Sequence, residues 1–190
     1  YGPGLNAMSM LMARRLVEAE VPFVSVFWKH DYEEDKRNGC LGGAWDTHWK
    51  NFDCLKKVLV PKFDRPFAAL LADLEERGLL DETLVLVTSE MGRSPRIGDP
   101  RSGGSKGSGR DHWTHCMSVL MAGGGMKRGY IHGASDPTGS EPDEDPVSVS
   151  DWAATVYSLI GIDPLRRLLG PGNRPMPINY DGNILKDALA

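Results

Sequence analysis

The sequence predicts an α/β fold organised around a mainly parallel sheet, and three observations support this class. Apolar residues recur at helical spacing over residues 5–19, and an apolar run with strand composition follows over residues 21–28. Residues 83–88 form a second apolar run, whose β-branched content is typical of a central parallel strand. Acidic, arginine and histidine side chains follow this second run, which is where open α/β folds place their functional sites.

The next elements along the chain continue the alternation of helix and strand. Residues 52–77 have a long helical period, and a break or kink is expected between Pro61 and Pro66. Gly78 is expected to cap its C-terminal end. Residues 116–122 are predicted as another strand, which three glycines close.

The last predicted helix covers residues 147–161, with Ser148 or Ser150 as its N-cap. Two segments, residues 30–43 and 98–109, are predicted as loops from their polar and glycine-rich composition. The second of these loops lacks the Gly-Lys-Ser/Thr sequence of a nucleotide-binding P-loop, which excludes that class of site.

The overall composition limits the classes of function. The chain has 190 residues, of which 41% are hydrophobic and 25% charged, and we expect residues 1–190 to form one domain. A net charge of −4 gives no basic surface for nucleic acid, and the longest apolar runs are too short to cross a bilayer. The three cysteines include no Cys-x-x-Cys pair, so neither a zinc knuckle nor a disulfide framework is expected.

The first candidates for chemistry are Asp46 and His48. A carboxylate oxygen and an imidazole nitrogen two residues apart on a loop can converge on one divalent cation. The alternative is that Asp46 caps the following helix while His48 lies on the surface.

A second candidate group follows the apolar run of the predicted central strand. Glu90 lies where carboxylates often face a crevice, and the alternative is a solvated surface carboxylate. Arg93 and Arg110 are candidates for binding an oxyanion such as phosphate or sulfate, and the alternative is surface charge. His112 can bind a metal through one ring nitrogen while Asp111 orients the other, and the alternative is a purely structural hydrogen bond.

A serine hydrolase is a further enzymatic alternative. Ser89 or Ser94 would then be the nucleophile of a Ser-His-Asp triad. Neither serine lies in a Gly-x-Ser-x-Gly elbow, which counts against this alternative.

Several motifs taken together give the chain a family resemblance. They are Trp-Asp-Thr-His at 45–48, Thr-Ser-Glu-Met-Gly-Arg-Ser-Pro at 88–95, Gly-Arg-Asp-His-Trp at 109–113, Ala-Gly-Gly-Gly at 122–125 and Ile-His-Gly-Ala-Ser-Asp at 131–136. In this order they resemble the family known as domain of unknown function 1501, which is grouped with the alkaline phosphatase-like superfamily of sulfatases and phosphomutases. The resemblance implies a three-layer α/β/α sandwich with a mainly parallel sheet and one or two metal ions at the strand ends.

The resemblance also implies roles for particular residues. The implied metal ligands are Asp46, His48, Glu90 and His112, the implied substrate-binding residues are Arg93 and Arg110, and Asp111 supports the ligand His112. The expected cofactor is a divalent ion, zinc first, with calcium or magnesium as alternatives. Met91 stands where the superfamily usually has a ligand histidine, and a thioether is a poor ligand for such ions, so a single-metal or degenerate site is expected.

The function implied by the resemblance is metal-dependent hydrolysis of phosphate or sulfate esters, on small molecules or polysaccharides, by an exported protein. The superfamily's nucleophile lies near the start of its fold. We therefore expect this chain to be the C-terminal part of a larger domain, with the nucleophile and part of the site in an N-terminal segment. The alternative is a non-catalytic exported binding protein with a degenerate metal site, which Met91 favours.

Overall fold

The computed structural model describes residues 1–29, 31–40, 45–48, 50–98 and 109–190. The chain divides into two compact units. The first unit comprises Tyr1–Leu80 with Met91–Met117, and the second comprises Asp81–Glu90 with Ser118–Ala190. The expectation that residues 1–190 form one domain stays a prediction. None of the described helices is long and apolar enough to cross a membrane, as the sequence predicts.

Short helices and very short strands make up both units. The α-helices are α1 (Leu5–Glu18), α2 (Tyr32–Arg37), α3 (Asn51–Cys54), α4 (Val60–Glu76) and α5 (Val149–Leu159). A π-helical turn covers Leu55–Leu59, and 3₁₀ turns cover Leu80–Glu82, Pro171–Asn173 and Lys186–Ala188. The strands are β1 (Val85–Val87), β2 (Gly92–Ile97), β3 (Arg110–Trp113), β4 (Leu120–Ala122), β5 (Ala134–Ser135), β6 (Pro142–Glu144), β7 (Arg167–Leu169) and β8 (Pro175–Pro177).

Helices α1 and α4 pack together in the first unit. The buried residues of the two helices are Ala7, Met10, Ala13, Arg14, Pro66, Leu70 and Leu74. Charged pairs join the same helices, with Arg14 Nε 2.9 Å from Asp73 Oδ2 and Arg77 Nη1 2.9 Å from Glu18 Oε1. The two helices thus combine an apolar interface with an ion-pair network.

The long helix predicted over residues 52–77 is confirmed as one helical path from α3 through the π turn to α4. The break expected between Pro61 and Pro66 is absent, because α4 runs from Val60 to Glu76 without interruption. The π turn lies before Pro61 and ends where Val60 N–H donates to the carbonyl of Leu55. Pro66 stays inside α4. Gly78 ends the helix with a φ of +68°, the left-handed conformation that glycine adopts most easily.

The predicted three-layer α/β/α sandwich with a mainly parallel sheet is wrong. Among the described residues, the strands form four two-stranded sheets, β1–β4, β2–β3, β5–β6 and β7–β8, and every pair is antiparallel. The run predicted as a central parallel strand contains β1, which pairs with β4 so that Val85 faces Ala122 and Val87 faces Leu120. Apolar composition reports that a run is partly buried, whereas it does not specify the direction of its partner.

The strand predicted over residues 21–28 joins no strand ladder in the described part of the chain. The segment is extended but open to solvent, with Phe23 81% and Phe27 88% exposed. Its end is tied to α1, because the Asn6 side chain accepts from Lys29 N–H and donates to Lys29 O, both at 2.8 Å.

The second unit contains the helix predicted over residues 147–161. Of the two serines predicted as its N-cap, Ser148 and Ser150, the structure has Ser148 in this position. Ser148 Oγ accepts from Asp151 N–H at 3.0 Å, while the Asp151 carboxylate accepts from Ser148 N–H at 3.0 Å, and the two form a capping box. Thr155, on the following turn, is fully buried and accepts from Leu185 N–H at 3.0 Å.

The expectation of no disulfide is wrong for one pair of cysteines. Cys40 and Cys54 form a disulfide across 14 positions, and both are buried with Val58 and Leu59 in one apolar cluster. Cys116 is the free cysteine. Spacing alone gave no sign of this bond, because Cys40 follows α2 and Cys54 lies at the end of α3, and the sequence does not show that these helices bring the two residues together.

The two predicted loops lie partly outside the described residues, since positions 30, 41–44 and 99–108 are not described. Within the first of them the structure has helix α2, which the sequence analysis did not predict. Asp31 caps this helix by accepting from Glu34 N–H at 3.0 Å.

Candidate metal centre

Two elements of the first unit build the candidate site. One is the segment between α2 and α3 that carries Asp46 and His48, and the other is the β2–β3 hairpin. In this hairpin Arg93 and His112 are directly opposed. Opposed residues of antiparallel strands project from the same face, so both side chains can reach one point.

That point is Oδ1 of Asp46. It lies 2.8 Å from His112 Nε2, 3.0 Å from His48 Nε2 and 2.7 Å from Arg93 Nη2. One ligand atom from each of Asp46, His48 and His112 lies within 4.8 Å of the others. The structure therefore gathers three of the four predicted metal ligands, although their role as ligands stays a prediction.

The segment carrying Asp46 is held on several sides. Arg93 Nη2 also donates to Trp45 O at 3.0 Å. The Trp45 ring meets Trp28 edge-on at a centroid distance of 6.0 Å. Thr47, which is buried, donates through Oγ1 to Asn51 Oδ1 at 2.5 Å, and this contact ties the segment to the first turn of α3.

The surroundings of Asp46 keep its carboxylate ionised. Partial burial by itself would raise the pKa of Asp46, but hydrogen bonds from His112 and Arg93 and the charge of His48 outweigh it, so the pKa lies below its ordinary value. An ionised carboxylate beside two imidazoles is a donor set that divalent transition ions bind.

The second nitrogen of His48 also fits a polar site. Nδ1 of His48 is buried and has no hydrogen-bond partner among the described residues. Asp111 Oδ1 lies 3.9 Å away from it, too far for a hydrogen bond. Asp111 Oδ1 instead accepts from the backbone N–H of His112 at 2.9 Å, so the contact shown is with the backbone of His112 and not with its ring.

Both arginines predicted to bind substrate have protein partners. Arg110 donates through Nε to Ser94 O at 2.5 Å and through Nη2 to Arg93 O at 3.1 Å, so it fastens β3 to β2. Burial, together with the charge of Arg93, lowers the pKa of Arg110. Arg93 bonds Asp46, as described above. The role of the two arginines in binding an oxyanion stays a prediction.

Glu90, the fourth predicted ligand, belongs to the second unit, so its place in the ligand set stays a prediction. Ser89 belongs to the same unit. Ser94 lies in β2, where its Oγ accepts from Arg96 N–H at 3.2 Å. No histidine bonds the Ser94 hydroxyl among the described residues, and nothing in this geometry favours a Ser94 triad.

Sequence reasoning missed three contributors to the site. Gly92 allows β2 to approach the chain after β3, because a Cβ there would lie 2.0 Å from Cys116 O. Asn51 holds Thr47, and the Cys40–Cys54 bond spans the segment that carries the site. Of these, Gly92 could have been suspected from the sequence, because it directly precedes the candidate residue Arg93.

Comparison with known proteins identifies the family of the chain. A family model described as "Protein of unknown function (DUF1501)" matches residues 2–189, nearly the whole chain. No curated protein matches the sequence, and no solved structure does.

Proposed function

This chain belongs to the DUF1501 family, and from this membership and the cluster around Asp46 we propose that it binds a divalent metal ion and hydrolyses phosphate or sulfate esters. One observation carries the proposal: ligand atoms of Asp46, His48 and His112, drawn from two separate elements, lie within 4.8 Å of one another. The Nε2 atoms of His48 and His112 lie 3.0 and 2.8 Å from the same oxygen of Asp46, so a single ion could contact all three side chains.

The donor set favours zinc. Two imidazoles and one carboxylate make three protein ligands, the number found in catalytic zinc sites, where a fourth position stays open. Calcium and magnesium prefer sets made only of oxygen, so they are weaker alternatives here. When bound, the ion would act as a Lewis acid on an ester oxygen.

The residues around the cluster have supporting tasks in this proposal. Arg93 keeps Asp46 ionised and fixes the chain at Trp45. Arg110 holds β2 and β3 in register through its bonds to two β2 carbonyls. Both guanidiniums add positive charge beside the ligands, which favours an anionic substrate.

We further propose that the protein is exported and that its substrates are small-molecule or polysaccharide esters. The Cys40–Cys54 disulfide supports export, because such bonds persist in oxidising compartments. Placement in the alkaline phosphatase-like superfamily is likewise a proposal, and it rests on the order of the motifs and not on the fold.

A second candidate function is metal binding without hydrolysis. Met91 favours it, since the superfamily usually has a ligand histidine at this position. The engagement of Arg93 with Asp46 favours it as well, because a guanidinium already paired with a carboxylate is less available to an ester.

Metal analysis and ester turnover test the proposal together. We expect the purified chain to bind Zn²⁺, and we expect Asp46→Ala and His112→Ala to lose it. The matched control is His132→Ala, which removes a histidine of the second unit that bonds Tyr130. Unchanged zinc content in both site variants would refute the site. Because the resemblance places the nucleophile in an N-terminal segment, turnover of p-nitrophenyl phosphate and p-nitrophenyl sulfate is measured on the full-length protein, where zinc binding without turnover would favour the second function.

A further inference from the structure

We propose that the Cys40–Cys54 disulfide positions the metal centre, so that the cluster of Asp46, His48 and His112 binds the divalent ion more tightly with this bond than without it. Cys40 and Cys54 are positioning residues in this proposal, since neither is a member of the ligand cluster. The inference rests on the proposed metal site.

The first argument is the path of the chain. The two cysteines are 14 positions apart, and Asp46 and His48 both lie between them. The disulfide therefore closes a ring that contains two of the three clustered ligands. The third, His112, reaches Asp46 from the hairpin, 66 positions further along the chain. The disulfide thus restrains the segment that brings Asp46 and His48 to His112.

The second argument is the anchoring of the two ends of the ring. Cys40 N–H donates to Asp35 O at 2.7 Å, which fixes it just beyond α2, and Cys54 N–H donates to Lys50 O at 2.9 Å in α3. Cys40 is 5% and Cys54 1% exposed. Trp45, the neighbour of Asp46, packs against the apolar cluster that the disulfide forms with Val58 and Leu59.

Asn51 and Thr47 connect Cys54 to the two ligands Asp46 and His48. Asn51 lies about one helical turn before Cys54 and is 1% exposed. Its Oδ1 accepts from Thr47 Oγ1 at 2.5 Å, and Thr47 is the residue between Asp46 and His48. Fixing Cys54 thus fixes Asn51, and with it the backbone from which both ligands project.

The reduced chain keeps only part of this support. Arg93 still bonds Trp45 O and Asp46, so the segment stays attached to the hairpin. The ring is open, however, and the residues between the cysteines regain conformational freedom that ion binding must remove. Groups that orient metal ligands from outside typically change affinity 10- to 100-fold, and we expect about that loss here.

The oxidation step needs an external disulfide. The thiols of Cys40 and Cys54 lose two electrons and two protons by thiol–disulfide exchange, and the external disulfide is reduced to two thiols. Glutathione disulfide is an oxidant of this chemical class.

Calorimetric titration with Zn²⁺ tests the inference on the full chain. We expect the double variant Cys40→Ser/Cys54→Ser to raise the Kd for zinc about 10- to 100-fold. Serine is used because a free thiolate would itself bind zinc. The matched control is Cys116→Ser, which removes the free cysteine and should leave the Kd unchanged. A wild-type chain that binds no zinc would overturn the proposed function and this inference together, whereas equal Kd values for wild type and double variant would overturn the inference alone.

A second variant covers the case in which buried serine hydroxyls prevent folding. Cys40 and Cys54 lie in an apolar cluster with Val58 and Leu59, so Cys40→Ala/Cys54→Ala removes the bond without burying a polar group and without leaving a thiolate that would bind zinc. Its Kd for zinc should also be about 10- to 100-fold higher than that of the wild type. A Kd equal to the wild-type value would overturn the inference.

Discussion

Replacing Gly92 by alanine tests whether the β2–β3 hairpin sets the position of Arg93. A Cβ at Gly92 would lie 2.0 Å from Cys116 O and 3.3 Å from Trp113 O, and contacts under 3.0 Å are essentially never made. Both neighbours are backbone atoms, so the chain itself must move by about 1 Å. Overpacking of this kind costs about 1–3 kcal/mol, and we expect the upper half of that range because no side chain can rotate away.

The same displacement would reach the candidate site. Arg93 follows Gly92 directly, and its Nη2 lies 2.7 Å from Asp46 Oδ1. A shift of about 1 Å would take this distance beyond hydrogen-bonding range. Gly92→Ala should therefore lower the free energy of unfolding, measured by urea titration with tryptophan fluorescence, and also weaken zinc binding.

Gly78→Ala is the control for the Gly92 variant. Gly78 has a φ of +68° and nothing within 4 Å of its added Cβ, so alanine there costs about 1 kcal/mol through backbone strain alone. Its zinc affinity should match that of the wild type. If the free energy of unfolding of Gly92→Ala stays within about 0.5 kcal/mol of the wild-type value and zinc binding is unchanged, the close approach of the backbone at Gly92 is contradicted.

Two further predictions concern one helix in each unit, the packing of α4 in the first and the N-terminal cap of α5 in the second. Leu74→Ala, at a side chain that is 1% exposed, should lower the free energy of unfolding by about 2–5 kcal/mol, whereas Leu5→Ala, at a side chain that is 59% exposed, should change it by less than about 0.5 kcal/mol. Similar losses in urea titrations of the two variants would contradict the assigned interface. Asp151→Ala should cost about 1 kcal/mol by removing the capping box. Hydrogen bonds from Ser148 and Asn183 hold the pKa of Asp151 below its ordinary value, so its stabilisation is complete above the ordinary carboxyl pKa and is lost as the pH falls through the folded pKa. The deficit of the Asp151 variant should therefore shrink in acid, and a deficit that does not change with pH would contradict this origin.

The longer helices were predictable because their signals are local, whereas the segment of the six-residue helix α2 was predicted as a loop. The period over residues 5–19 corresponds to Leu5–Glu18, and the period over residues 147–161 contains Val149–Leu159. The direction of the strands was not predictable, because it depends on which distant segment pairs with each run. Residues 83–88 contain a strand, as expected, yet its partner is antiparallel, and the fold class inferred from it was therefore wrong.

In the candidate site, too, the sequence motifs predicted some of the residues that come together but not every contact between distant parts of the chain. The spacing of Asp46 and His48 suggested one cation, and the order of the motifs added His112, which the structure brings within 2.8 Å of Asp46. What the sequence did not predict is that Arg93 is paired with this same carboxylate. The sequence suggested Arg93 as an oxyanion-binding residue, and the acid that it contacts lies 47 positions away along the chain.

The charges around the cluster connect the proposed ion with the proposed class of ester. Asp46 and Asp111 carry negative charge, and Arg93 and Arg110 carry positive charge, so these side chains balance one another when the imidazoles are neutral. A divalent ion bound among them would then leave its own charge uncompensated by the protein. Uncompensated positive charge attracts an anionic group, and phosphate and sulfate esters bring one to the atom where hydrolysis occurs. Under the proposed function, a bound ion would therefore attract phosphate and sulfate esters more strongly than uncharged carboxylic esters.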